Sequence, residues 1–223
     1  MTARDIMTSP VVTVRPTTPV REAVALMLEH RISGLPVVNE VGELVGIVTE
    51  ADLLPKELVP RPQPPVVDWI GPSLWVERWL SAYRKAEGRT VGEVMTHHVI
   101  TATEDTPVRE IAARMMRHQI NRVPIVRGRR VVGIVTRADI LRVFLRSDQA
   151  LEDEARAILE EVLLPDEDVR VEAQEGVLTL RGRVASPGRR ALLRARLEQI
   201  DGVIGIDDTE LRHDFPLITA SWE

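Results

Sequence analysis

The sequence predicts an α+β fold in which a strand-helix-strand-strand-helix unit occurs twice and a smaller α-β-β-α-β domain follows. Three observations predict it. The chain has 223 residues, more than one ordinary domain needs. A long pattern recurs: TARDIMTSPVVTV from Thr2 returns as TVGEVMTHHVITA from Thr90, and TPVREAVALMLEHRISGLPVV from Thr18 returns as TPVREIAARMMRHQINRVPIV from Thr106. The composition then turns acidic, since residues 90–147 carry 10 Arg against 5 acids and residues 148–223 carry 9 Arg against 18 acids. The expected domains are 1–54 (first repeat), 55–89 (insert), 90–147 (second repeat) and 148–223 (last domain).

Each repeat opens with an extended apolar run, Val11 to Val14 or Val99 to Ala102. Thr18-Pro19 and Thr106-Pro107 then predict helix starts, the hydroxyl as cap and proline at the first position. The helix faces are Val20, Ala23, Val24, Met27 and Leu28, matched by Val108, Ile111, Ala112, Met115 and Met116 at helical spacing. LPVV with LVGIV, and VPIV with VVGIV, are β-rich runs joined by turns, which predicts two hairpins. The first turn, NEVGE, is one residue longer than RGRR. A second helix is expected from Thr49 and from Thr136.

The duplicated M-T opening, the helix ending in H-x-I before an apolar-Pro-apolar triplet, and the G-I-V-T-x-x-D run resemble the CBS domain, the cystathionine beta-synthase type repeat. The resemblance implies two repeats packed through their sheets as one module. It implies clefts that hold adenosine-containing ligands such as AMP, ADP, ATP or S-adenosylmethionine, with no catalytic cofactor, and a module that pairs into a homodimer.

Both G-I-V-T-x-x-D runs place a hydroxyl at a helix start and a carboxylate three residues on: Thr49 with Asp52, and Thr136 with Asp139. First-turn amides favour an anion there, and the carboxylate can accept the two vicinal hydroxyls of a ribose. The competing reading is a capping box that satisfies the helix's own amides. The resemblance places the residues before the proline beside the base: Ile32, Ser33, Gly34, Leu35 and Pro36, and Ile120, Asn121, Arg122, Val123 and Pro124. Thr13 and Thr101 on the entering run are further candidates. Arg122 and Arg137 stand where the first repeat has Gly34 and Glu50, which favours the second motif for a phosphorylated ligand.

Catalysis finds no support. The chain has no cysteine, which excludes disulfides and thiolate chemistry. His97 and His98 are adjacent and point to opposite faces of a strand. His30 and His118 close equivalent helices, where the dipole favours them. Ser33, Ser73 and Ser186 have no evident base, and no phosphate-loop sequence occurs.

The insert has a proline-rich stretch, then Trp75, Trp79 and Tyr83 along one helical face, with Trp69 upstream; packing against the repeats or a dimer contact is expected. In the last domain Leu151, Ala155, Ile158, Leu159 and Val162 mark an amphipathic helix, Val169 to Ala173 and Val177 to Val184 alternate as strands, Ser186-Pro187 start a helix, and Val203 to Ile206 form a last strand. With its GVLTLRGRV and GVIGIDD runs this domain resembles the BON domain, which implies association with proteins or phospholipid surfaces. Arg189, Arg190, Arg194 and Arg196 suggest a basic helix face, but the acidic surroundings favour a salt-bridged one.

The start MTARDIMTSP has no apolar core of a signal peptide, and no stretch is long enough for a membrane span, so a cytoplasmic protein is expected. The basic second repeat raises nucleic-acid binding, which a net charge of -5 and the shortage of stacking aromatics oppose. The expectation is a bacterial regulatory protein that senses an adenosine nucleotide and relays occupancy through its last domain. The alternative is an interaction module with empty clefts.

Overall fold

The structure is a computed structural model, and it describes residues 1–54 and 85–213. The aromatic stripe and proline-rich stretch of the insert lie outside the described residues, apart from its last five positions. The contacts divide the chain into two compact units, Thr2–Thr136 and Arg137 onward together with Met1.

In the first unit each hairpin forms where the β-rich runs predict it. Strand β1 (Gly34–Val38) pairs antiparallel with β2 (Leu44–Thr49), and β3 (Arg122–Arg127) pairs with β4 (Arg130–Thr136). The helix Val20–His30, which leads to β1, ends at Arg31 in the left-handed region, and the helix of the second repeat, Val108–His118, ends in the same way at Gln119. Leu35, Val37, Val48, Ala23 and Met27 form one buried cluster with Val14, Val91 and Val94.

Thr18 and Thr106 do not cap these helices. Thr18 Oγ1 accepts from the Arg15 amide at 3.0 Å and Thr106 Oγ1 from the Thr103 amide at 3.0 Å, while Pro19 and Pro107 occupy the cap positions without a side-chain bond. A residue before proline is held out of the helical region, so its hydroxyl closes the preceding turn instead.

The two repeats exchange their opening segments. The short helix Ala3–Ile6 lies at the second repeat, where the Ala3 amide donates to the Thr106 carbonyl at 2.9 Å. The matching helix Val91–Val94 lies at the first, where the Val91 amide donates to the Thr18 carbonyl at 2.9 Å. Beyond these helices, Thr96 bridges to Ile47 and Thr8 to Ile134, so each hairpin is flanked on one edge by the other repeat. The other edge meets the hairpin's own entering run, which makes only single parallel bridges, Val14 to Val37 and Ala102 to Ile125.

The exchange explains two motif positions. A Cβ built on Gly46 would lie 2.5 Å from Met95 Sδ, and one on Gly133 would overlap Met7 Sδ. The glycine of G-I-V-T is therefore the floor on which the methionine of the other repeat's M-T opening packs.

The second unit starts with the helix Arg137–Arg142 and a 3-10 turn, Val143–Leu145. Its remaining elements follow the expected α-β-β-α-β order: helix Asp148–Val162, β5 (Asp168–Gln174), β6 (Val177–Val184), helix Pro187–Leu197 and β7 (Gly205–His213). Ser147 and Ser186 cap the two longer helices by accepting from Ala150 and Arg189 amides, with Pro187 at the first turn. Asp148 accepts from the Glu175 and Gly176 amides at 2.9 and 2.8 Å, tying the helix start to the hairpin turn. The sheet order is β5-β6-β7, antiparallel then parallel, and the helix Pro187–Leu197 makes the crossover.

The last strand begins two residues later than Val203 and runs to His213, with Ile206 and Leu211 on the core and Asp208 covered by arginines of the preceding helix. The arginine-rich helix is salt-bridged: Arg189 pairs with Glu167, Arg190 with Asp208, and Arg194 with Asp208 and Glu198.

Candidate functional site

The exchange of opening segments builds a cleft of about 440 Å³ between the repeats of the first unit. The first repeat contributes Ser33, Ile47, residues 49–52 and Leu54. The second contributes Thr96, residues 98–100 and residues 119–122. Ile47 and Thr96 face each other through their mutual backbone hydrogen bonds, which sets the width of one wall.

The corner of the first repeat is a capping box. Asp52 Oδ2 accepts from the Thr49 amide and hydroxyl, both at 2.8 Å, at the start of the short helix α3 (Glu50–Leu53). Its Oδ1 takes the Lys85 ammonium and the Thr96 hydroxyl, the latter at 3.2 Å. Asp52 is 5% exposed, and both oxygens are engaged. The Glu50 amide donates to the Ser33 carbonyl at 3.2 Å. The corner is thus closed on one oxygen by its own capping box, as the competing sequence reading has it, and on the other by Lys85 and Thr96, yet the space beside it stays open.

Arg122 is where tertiary structure departs most from sequence order. It occupies the position of the second repeat that matches Gly34 in the first, and its guanidinium lies over Gly34. A Cβ on Gly34 would collide with it. Arg122 donates to the Ser33 carbonyl and, at 2.6 Å, to the Ser33 hydroxyl. Burial lowers the Arg122 pKa, against the opposing pull of Glu50 and Asp52. The cation expected to serve the second motif therefore serves the cleft of the first. Arg137 is exposed, and Asp139, 5% exposed, pairs with Arg142; both belong to the second unit.

The other expected residues separate by burial. Ser33, Thr49, Asp52, Ile120, Asn121 and Arg122 line the cleft. Leu35 and Val123 are fully buried, Pro36 and Pro124 are buried beside them, and Ile32 packs against the core, so these hold the hairpins in place. Gly34 supplies space. Thr136 ends β4. Thr13 lines a different cavity, with Glu104 and Arg127, and Thr101 a third, with His97 and Arg129.

Sequence order alone did not point to Ile47, Glu50, Thr96, His98 or Ile100 as lining residues. Thr96 and His98 sit on an opening segment whose own repeat is elsewhere. The shared M-T opening was visible, but nothing in one repeat says that it crosses to the other. Among the described residues no cluster of His, Asp and Glu is arranged to hold a metal ion, and no helix is long and apolar enough to cross a membrane.

The CBS domain family model matches residues 3–57 and 91–146. The chain is 36% identical over 142 residues to L-aspartate semialdehyde sulfurtransferase of Methanocaldococcus jannaschii, of which it covers only 23%. It is 30% identical over 155 residues to the uncharacterized protein MJ1426 of the same organism, covering 92% of it. The crystal structure of CBSX2 of Arabidopsis thaliana in complex with AMP is similar at 27% identity with a TM-score of 0.55, over 65% of this chain and 96% of that one.

Proposed function

This chain belongs to the CBS domain family, and from that premise we propose that it is a regulatory binding protein whose cleft between the repeats senses an adenosine-containing ligand. One observation carries the reading: a cleft of about 440 Å³ opens beside the Thr49-Asp52 corner, walled by both repeats, in a chain similar in fold to an AMP-bound pair. Ile47, Ile100 and Ile120 offer apolar cover for a purine, and Thr49, Asp52, Asn121 and Arg122 offer polar groups for the sugar and its substituent. We read the module as a binding unit and not an enzyme. We further read the second unit as BON-like, relaying occupancy to a protein or phospholipid partner, and the protein as cytoplasmic. A homodimer is supported by the matching exposed side chains Leu28 and Met116, one on each long helix of the pair.

Thermal shift with AMP, ADP, ATP and S-adenosylmethionine tests the reading. A bound ligand at about 100 times its dissociation constant should stabilise the chain by about 2.7 kcal/mol. Asn121 is exposed and lines the cleft, so Asn121→Trp should fill the cleft, keep the unliganded melting temperature and abolish the shift. A shift that survives Asn121→Trp would remove this cleft as the site.

The engagement of both Asp52 oxygens favours a second reading, an interaction module whose clefts stay empty. It predicts no shift with any of these ligands.

A further inference from the structure

The charges around the cleft are unevenly committed. Among the described residues its lining carries two carboxylates, Glu50 and Asp52, against one guanidinium, Arg122. Arg122 gives one hydrogen bond from each terminal nitrogen to Ser33, whose carbonyl and hydroxyl leave its charge uncompensated. The first amide of α3 is also spent on Ser33, and the Thr49 cap is filled by the Asp52 carboxylate. Lys85 is paired with Asp52. Glu50 is exposed and lines the cleft at the first position of α3, near enough to Arg122 to act on its charge, and no hydrogen bond among the described residues ties its carboxylate down as Thr49 and Lys85 tie that of Asp52.

A polyphosphate needs several uncommitted donors or cations and is repelled by a facing carboxylate. An uncharged substituent needs no such cations and is not repelled, and a cationic one gains from Glu50. We propose that Glu50 makes this cleft selective by charge, so that it takes adenosines with an uncharged or cationic 5′ substituent and disfavours 5′-polyphosphates. The proposal rests on the reading that the cleft takes an adenosine. The second repeat sharpens it, since Arg137 stands at the position equivalent to Glu50 and reverses the charge.

Titration calorimetry on the full chain tests it with 5′-methylthioadenosine, S-adenosylmethionine, AMP and ATP. ATP should bind at least about tenfold more weakly than 5′-methylthioadenosine. Glu50→Arg should shrink that ratio by about tenfold or invert it, and Glu50→Gln should fall between. Because Glu50 is exposed, both variants should keep the melting temperature of the parent. ATP binding within about threefold of 5′-methylthioadenosine in the parent chain, or a ratio unmoved by both variants, would overturn the proposal and leave the adenosine reading standing. Absence of binding by all four compounds would instead overturn that reading, and the selectivity with it.

Discussion

Replacing Gly133 with valine is expected to destabilise the first unit by about 3 kcal/mol, seen as a drop in its melting temperature on the order of 10 °C. Valine suits a strand, so in open space the change would be neutral or favourable. The sign is decided by Met7, whose Sδ and Cγ occupy the place of the new side chain. Methionine is flexible, but its whole chain rests against this glycine, with Cβ 3.1 Å from the added atom, so rotation about its end does not clear the overlap. Met7→Ala in the same chain should recover most of the loss, although alone it removes packing and costs about 1 kcal/mol. A tolerated Gly133→Val, or a double variant no better than the single one, would show that the opening segment does not cross to this hairpin.

The second large effect lies at Glu167. Its side chain is fully buried and accepts from Arg189 Nε at 3.0 Å, from another Arg189 nitrogen at 2.7 Å, and from the Leu164 and Ala185 amides, each at 3.1 Å. The Arg189 hydrogen bonds, with the two amides and the charge of Arg189, lower its pKa from 4.5 to about 2, against the opposing effect of burial. The folded state therefore binds this proton more weakly than the unfolded chain. The stabilisation is fully present above about pH 4.5 and is lost as the pH falls towards 2. It amounts to at most about 3 kcal/mol at neutral pH.

Glu167→Gln keeps the shape and removes the charge. It should cost about 2 to 3 kcal/mol at pH 7, and the gap to the parent should close as the pH approaches 2. Denaturant titrations of both chains at pH 7, 4 and 2 would measure it. A gap of equal size at all three values would mean that the pair contributes through packing and not through charge.

These two positions show different degrees of legibility in the sequence. Gly133 belongs to a repeated motif and Met7 to another, and both are visible by self-comparison. Their contact is not, because the pairing requires the opening segments to cross between repeats. Glu167 carried no signal at all. It stands in a run of acids, and only the fold brings Arg189, 22 residues later, and two otherwise unpaired amides onto one carboxylate.

The cleft divides in the same way. Thr49, Asp52, Ile120, Asn121 and Arg122 were picked out by their motifs and do line it. Thr13 and Thr101 were picked out by position on the entering run, and the structure puts them in other cavities. The charge asymmetry between Gly34 and Arg122 was legible as a difference between equivalent positions. That the arginine fills the space left by the glycine was not, since alignment superposes what the fold brings face to face.

By itself the sequence determined the duplication, the paired hairpins, the α-β-β-α-β order after Ser147 and the salt-bridged character of the last helix. These follow from local periodicity, turn chemistry and charge, which act over a few residues. It did not determine the start of each repeat, where a short helix and a run with one bridge stand in place of the expected first strand. Only the tertiary structure decided which segment borders which hairpin, which arginine faces which corner, and which groups remain uncommitted around the cleft. Those depend on contacts across some 90 residues, Arg122 to Ser33 being separated by 89, and such pairings are chosen by the fit of whole surfaces.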